Sequence, residues 1–230
     1  MPAWICASII SCSQPYQRIM SFAQPAPHYI KQLKAAAFIA CLLPLARLAW
    51  RGFSHDLGAN PIEVITHTTG DWTLILLLVT LSITPLRRIL EWPWLLKLRR
   101  MFGLYAFFYA CLHFLTYIWL DQFFDIFDIA KDVLKRPFIT VGFTCFLLLI
   151  PLAVTSTNNM VKRLGAKRWP QLHRFVYFIA AGGVVHFWWL VKKDISDPLQ
   201  YAIILSLLFG LRALFYFRKN SLPKVALSQR

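Results

Sequence analysis

Four histidines fall inside or at the edge of long apolar runs in a chain that is otherwise short of ionisable groups: His67, His113, His173 and His186. An ionisable side chain is expensive inside a membrane, so each one marks a candidate functional position. His113 stands in Tyr-Ala-Cys-Leu-His-Phe-Leu-Thr, and His186 in Val-Val-His-Phe-Trp-Trp. Counted along their apolar runs from the more basic end, the two lie at depths of ~15 and ~21 Å. Two imidazoles at matched depth on facing helices can ligate one heme iron from both sides. Satisfaction of each ring by a helix hydrogen bond is the competing account.

His173 precedes His186 by thirteen residues, which is ~20 Å along a helix. That is too far to share a metal and suits a second heme in the opposite leaflet. Thirteen steps of ~100° would leave the two side chains ~140° apart, so a helix carrying both would need distortion. No second histidine occurs at that depth, so such a heme would take an unusual partner or one protein ligand. Arg99 and Arg100 are nearby candidates to pair with heme propionates. The plainer reading of His173 is an interfacial histidine. His67 opens an apolar run in His-Thr-Thr-Gly-Asp, with Asp71 one helical turn on. It would join the outer heme site or a quinone site, or serve only as a helix-end residue. His28 and His55 lie outside the apolar runs and read as solvated loop residues.

The elements that must hold these residues follow from composition. Of 230 residues, 58% are hydrophobic, 16% aromatic and only 15% charged, where a soluble domain carries about 25% charged. Six apolar segments cover about 33–50, 64–84, 103–120, 138–154, 172–191 and 199–217, each near the ~20 residues that cross a bilayer. The expected fold is an all-α integral membrane protein, a six-transmembrane-helix bundle with short connections. Residues 1–32 read as a disordered cytoplasmic extension, with Met20 as an alternative start. Residues 33–217 form the bundle, and 218–230 a basic cytoplasmic tail.

Charge sets the orientation. The N-terminal region, the 85–102 and 155–171 connections and the tail together carry sixteen basic residues against one acid, Glu91. The alternate connections carry six basic and eight acidic residues. The basic set is therefore expected in the cytoplasm, with both termini. This clustering between apolar runs also accounts for the net charge of +15 without nucleic acid. None of the five cysteines forms Cys-x-x-Cys, so covalent heme attachment through Cys-x-x-Cys-His is unsupported. Dinucleotide loops, P-loops, His-Glu-x-x-His and nucleophile elbows are missing from the 230 residues. No catalytic residue is assigned, and electrons are expected to arrive from quinol, flavin or a separate reductase.

A set of short motifs carries a family resemblance. They are Gly58-Ala59-Asn60-Pro61, His67-Thr68-Thr69-Gly70, Ile83-Thr84-Pro85-Leu86 and Arg99-Arg100-x-x-Gly103-Leu104. With them stand Thr155-Ser156-Thr157, Leu164-Gly165, Arg168-Trp169 and Leu172-His173-x-x-x-Tyr177. Over residues 33–217 the chain resembles the heme-binding membrane subunits of periplasmic protein-methionine-sulfoxide reductase systems, relatives of ferric reductase membrane domains. The resemblance implies a b-type cytochrome of the bacterial inner membrane with one or two hemes, and FMN as a further cofactor at a position no motif here locates. It implies heme ligation by His113, His173 and His186. It also implies electron flow from the quinone pool, or a cytosolic flavin reductase, to a periplasmic molybdopterin-dependent subunit that repairs oxidised methionines. A stand-alone quinol or ferric reductase cytochrome is one alternative. A proton-coupled transporter with intramembrane histidines is another, but no acid lies deep within a span and no repeated half is visible.

Overall fold

The structure, a computed structural model, describes residues 26–191 and 194–221. Among them every regular element is helical. In chain order these are α1 (Pro27–Phe53), α2 (Pro61–Ile89), α3 (Leu96–Thr116), α4 (Ile126–Lys135), α5 (Pro137–Val154), α6 (Asn158–Leu172), α7 (Phe175–Leu190) and α8 (Ser196–Ser221). A single 3-10 turn, Pro93–Leu95, leads into α3, and a π-helical turn, Tyr117–Asp121, ends it.

Five of the helical stretches are long and apolar enough to cross a membrane: Pro27–Phe53, Pro61–Ile89, Pro93–Asp121, Pro137–Val154 and Ser196–Arg218. The sixth expected span, α7, is apolar but has only 16 residues, ~24 Å of helix against a hydrocarbon core of ~30 Å. His173 and Arg174, expected inside that span, instead form the turn that precedes it.

Local chemistry accounts for the helix ends. Proline occupies the first helical position of α1, α2 and α5, where its missing N–H costs nothing. At α2 the Asn60 side chain accepts from the Glu63 N–H (3.3 Å) and donates back to the Glu63 carboxylate (3.0 Å). Helix α1 begins at Pro27, so residues 27–32, expected in the disordered extension, are helical. His28 consequently sits in its first turn rather than in a loop. The expected start at Met20, and most of the extension and tail, fall outside the described residues.

Two connections expected as loops are helical. Between α3 and α5, Asp125 caps α4 through the Phe127 and Asp128 N–H groups (2.9 and 3.1 Å). Between α5 and α7 runs α6, broken where Gly165 takes φ 73°, a backbone region that penalises side chains.

The bundle is built from two intimate pairs. Helix α2 packs most extensively against α3, and α5 against α7. The core between them holds Leu74, Leu77 and Leu81 of α2, Tyr109 of α3 and Ile179 of α7. Ala106 and Ala180 are completely buried, and their small side chains allow the backbones to approach closely. Helix α1 is attached through the Tyr109 hydroxyl, which donates to the Cys41 carbonyl (2.8 Å). Large apolar side chains cover the outside, among them Trp50, Phe53, Phe178 and Leu207. A surface of that kind matches acyl chains rather than water.

Candidate functional site

The structure brings His113 and His186 together. Their ring centres are 6.1 Å apart and the rings are nearly perpendicular, at 83°. His113 lies on α3 and His186 on α7, so the two rings face each other between the two helix pairs.

Each ring is held by the other member of its own pair. The His113 Nδ1 donates to the Thr66 carbonyl of α2 (3.0 Å). The His186 Nδ1 donates to the Phe138 carbonyl of α5 (2.6 Å). A carbonyl only accepts, so the proton of each neutral ring resides on Nδ1 and the lone pair on Nε2. Orientation of a ligating imidazole through its second nitrogen is the usual arrangement at metal sites.

Two glycines make room for this. A Cβ at Gly142 would lie 2.7 Å from the His186 Nδ1, and one at Gly70 would lie 3.2 Å from the His113 Nδ1. Gly142 carries no signal in the sequence by itself. Its role is visible only as a small residue opposite a histidine on the neighbouring helix. The Gly182–Gly183 pair serves helix packing: Gly182 faces Cys145 of α5, and Gly183 faces Leu74 of α2. Phe138 is centred 6.2 Å from His186, and Phe114 of α3 packs in a tilted arrangement against Phe143 and Phe146 of α5.

The spacing of the pair leaves room for a metal ion between the rings. With metal–nitrogen bonds of ~2.0 Å and ~1.1 Å from nitrogen to ring centre, two opposed imidazoles stand ~6.2 Å apart. The observed 6.1 Å agrees. Among the described residues no group of three or more His, Cys, Asp or Glu could hold a metal ion. Two nitrogens in an apolar setting suit a metal whose remaining ligands come from a macrocycle.

His173 is placed apart from this pair. Its Nε2 is 3.2 Å from the Thr155 hydroxyl, and its ring stacks on Trp169 at 4.0 Å. The Thr155 hydroxyl donates to the Pro151 carbonyl (2.6 Å), so it accepts from His173. His173 and His186 do not share a helix: the two-residue turn His173–Arg174 separates α6 from α7. Arg99 lies close enough to act on His173 electrostatically. Arg100 bonds the Asn158 side chain instead (2.5 Å), joining the starts of α3 and α6. His67 is engaged with Glu63, one turn earlier on α2 (4.0 Å), at the protein surface.

Comparison with known proteins gives the family of the chain. Residues 69–184 match the family model described as ferric reductase like transmembrane component. That range includes His113 and His173 and ends just before His186. A protein of Herminiimonas arsenicoxydans is 56% identical over 88% of this chain and 94% of its own length. Proteins of Azospira oryzae and Rhodospirillum rubrum are 52% and 55% identical, covering 86% and 78% of this chain and 85% and 86% of their own lengths. All three are named protein-methionine-sulfoxide reductase heme-binding subunit MsrQ. At this identity and coverage, the chain belongs to the MsrQ family of ferric-reductase-like transmembrane proteins.

Proposed function

We propose that this chain is a b-type heme electron-transfer subunit of the bacterial inner membrane. In this reading it carries electrons from the quinone pool, or from a cytosolic flavin reductase, to a periplasmic molybdenum-cofactor methionine-sulfoxide reductase. The observation that carries the heme reading is the His113–His186 pair at 6.1 Å, each ring fixed through Nδ1 by a backbone carbonyl. The partner reading rests on the names of the relatives. Bound heme supplies one-electron exchange without hydride or proton chemistry. His113 and His186 would hold the heme through their Nε2 nitrogens. The Thr66 and Phe138 carbonyls hold both rings in the neutral, Nε2-basic form, and the Phe138 ring packs beside His186.

His173 is assigned to a second heme near the opposite membrane face, with Arg99 and Arg100 as partners for its carboxylates. The family resemblance supports this. Ligation through Nε2 would displace the Thr155 hydroxyl. FMN belongs to the proposal on the same resemblance, and an additional heme or quinone site at His67 on the position of that residue near the start of α2. Six spans with both termini in the cytoplasm are favoured by the charge distribution, with α7 as the short sixth span.

The test is a visible spectrum of the purified full-length chain, expressed with sufficient heme and reduced with dithionite. Sharp b-type bands are expected. Their absence would overturn the heme assignment.

A further inference from the structure

A cleft of about 740 Å³ opens between α2, α7 and α8, at the end of the bundle opposite the imidazole pair. Its lining is of two kinds. Arg88, Arg174 and Arg212 converge on it, and Pro85, Phe209, Ala213, Phe215 and Tyr216 form apolar walls. Its size is that of a small-ligand site, typically ~300–1,000 Å³.

Among the described residues no carboxylate compensates these arginines. Arg212 donates to the Tyr177 hydroxyl and to the Leu81 carbonyl, both neutral and both at 2.5 Å. Its guanidinium lies 4.9 Å from the centre of the Tyr177 ring, and that of Arg88 lies 5.4 Å from the centre of Phe215. None of the ion pairs among the described residues includes Arg88, Arg174 or Arg212. Among the described residues no carboxylate lines the cleft. Two buried polar atoms there lack any hydrogen-bond partner, the Arg212 Nε and the Thr84 Oγ1. A cation within a membrane helix is costly without a counter-charge, and an orphaned buried donor costs more than a satisfied one.

We propose that this cleft binds the phosphate of an anionic phospholipid, with the headgroup on the three arginines and the first part of an acyl chain along the aromatic wall. Phosphate supplies the missing charge and enough acceptor oxygens for several guanidinium N–H groups. A lipid source is favoured because the wall is continuous with the lipid-type exterior of α8, where Leu207, Leu214, Tyr216 and Phe217 are exposed. It is favoured also by position, since the cleft lies at the basic end of the bundle. Basic pockets between membrane helices on that side accept anionic headgroups. The inference is independent of whether heme is bound.

Native mass spectrometry tests it on the purified full chain, released from micelles containing equal amounts of phosphatidylglycerol and phosphatidylethanolamine. Wild type is expected to retain one phosphatidylglycerol in preference to phosphatidylethanolamine. Arg88→Gln and Arg174→Gln leave the Arg212 bonds intact and are expected to weaken retention about tenfold each, the loss of one charged contact. Lys162→Gln, at the same end but outside the cleft, is expected to change nothing. Equal retention of the two lipids, or equal loss in the Lys162 variant, would overturn the proposal. Displacement of the lipid by added flavin mononucleotide or inorganic phosphate at stoichiometric concentration would overturn it too, and would assign the cleft to a soluble phosphate.

Discussion

His113 and His186 stand 6.1 Å apart although their restraints share no helix: α2 holds the first ring and α5 the second. The gap between them is therefore set by how the α2–α3 pair seats against the α5–α7 pair.

One consequence concerns the two histidines directly. His113→Ala and His186→Ala are each expected to abolish the same low-spin heme signal, because either change removes one of two axial nitrogens. Electron paramagnetic resonance and reduced-minus-oxidised spectra of both variants check this. Different surviving signals in the two proteins would refute a shared iron.

The glycines give a graded series. Gly142→Ala places a methyl group 2.7 Å from the His186 Nδ1 and Gly70→Ala one 3.2 Å from the His113 Nδ1, while the position at Gly210 is open. Overpacking of this kind costs about 1–3 kcal/mol, so heme occupancy per polypeptide should fall most for Gly142→Ala and less for Gly70→Ala. Gly210→Ala should leave it unchanged. An unaltered spectrum and occupancy in Gly142→Ala would show that the ring does not need its present position.

His173 and Thr155 form a separate unit. Thr155→Val removes the oxygen that receives the His173 Nε2. The change is expected to leave the His113/His186 signal intact and to alter only a second heme signal. Low-temperature spectra of this variant and of His173→Ala provide the check. Loss of the first signal alone in His173→Ala would remove the basis for a second site.

Tyr109 links α1 to the bundle. Tyr109→Phe deletes the hydroxyl that donates to the Cys41 carbonyl at 2.8 Å. A stability loss of about 1 kcal/mol is expected, read as a lower melting temperature in detergent with unchanged heme bands.

Orientation has its own assay. Alkaline phosphatase fused after Asp128 is expected to be active, and after Gly165 inactive, since the first connection is acidic and the second basic. The reverse pattern would invert the topology.

The apolar runs were legible because a stretch of about twenty mostly apolar residues is the length and chemistry that a bilayer demands. The approach of His113 to His186 was legible from their similar depths on two spans that run in the same direction. Their clamps were not, because the Thr66 and Phe138 acceptors are backbone atoms and any residue type would offer the same carbonyl. Helices α4 and α6 were hidden for different reasons. The α4 segment is short and rich in aspartate, with Ile126 and Phe127 exposed. The α6 segment is polar overall and interrupted at Gly165. The early start of α1 did have a signal, Pro27 at its first position, but the polar stretch before it obscured the boundary. His173 sat near enough to the apolar run to be counted in it, although the chain turns there before α7 begins.

The division into helix pairs also orders the assembly of the molecule during synthesis. Thr66 and His113 belong to consecutive segments, and both precede Phe138 along the chain. One half of the imidazole gate is complete while the other is still untranslated. The nascent chain thus carries a finished single-histidine receptor first and closes it only when α7 arrives, which makes the order of translation the order in which the two sides of the site come into being.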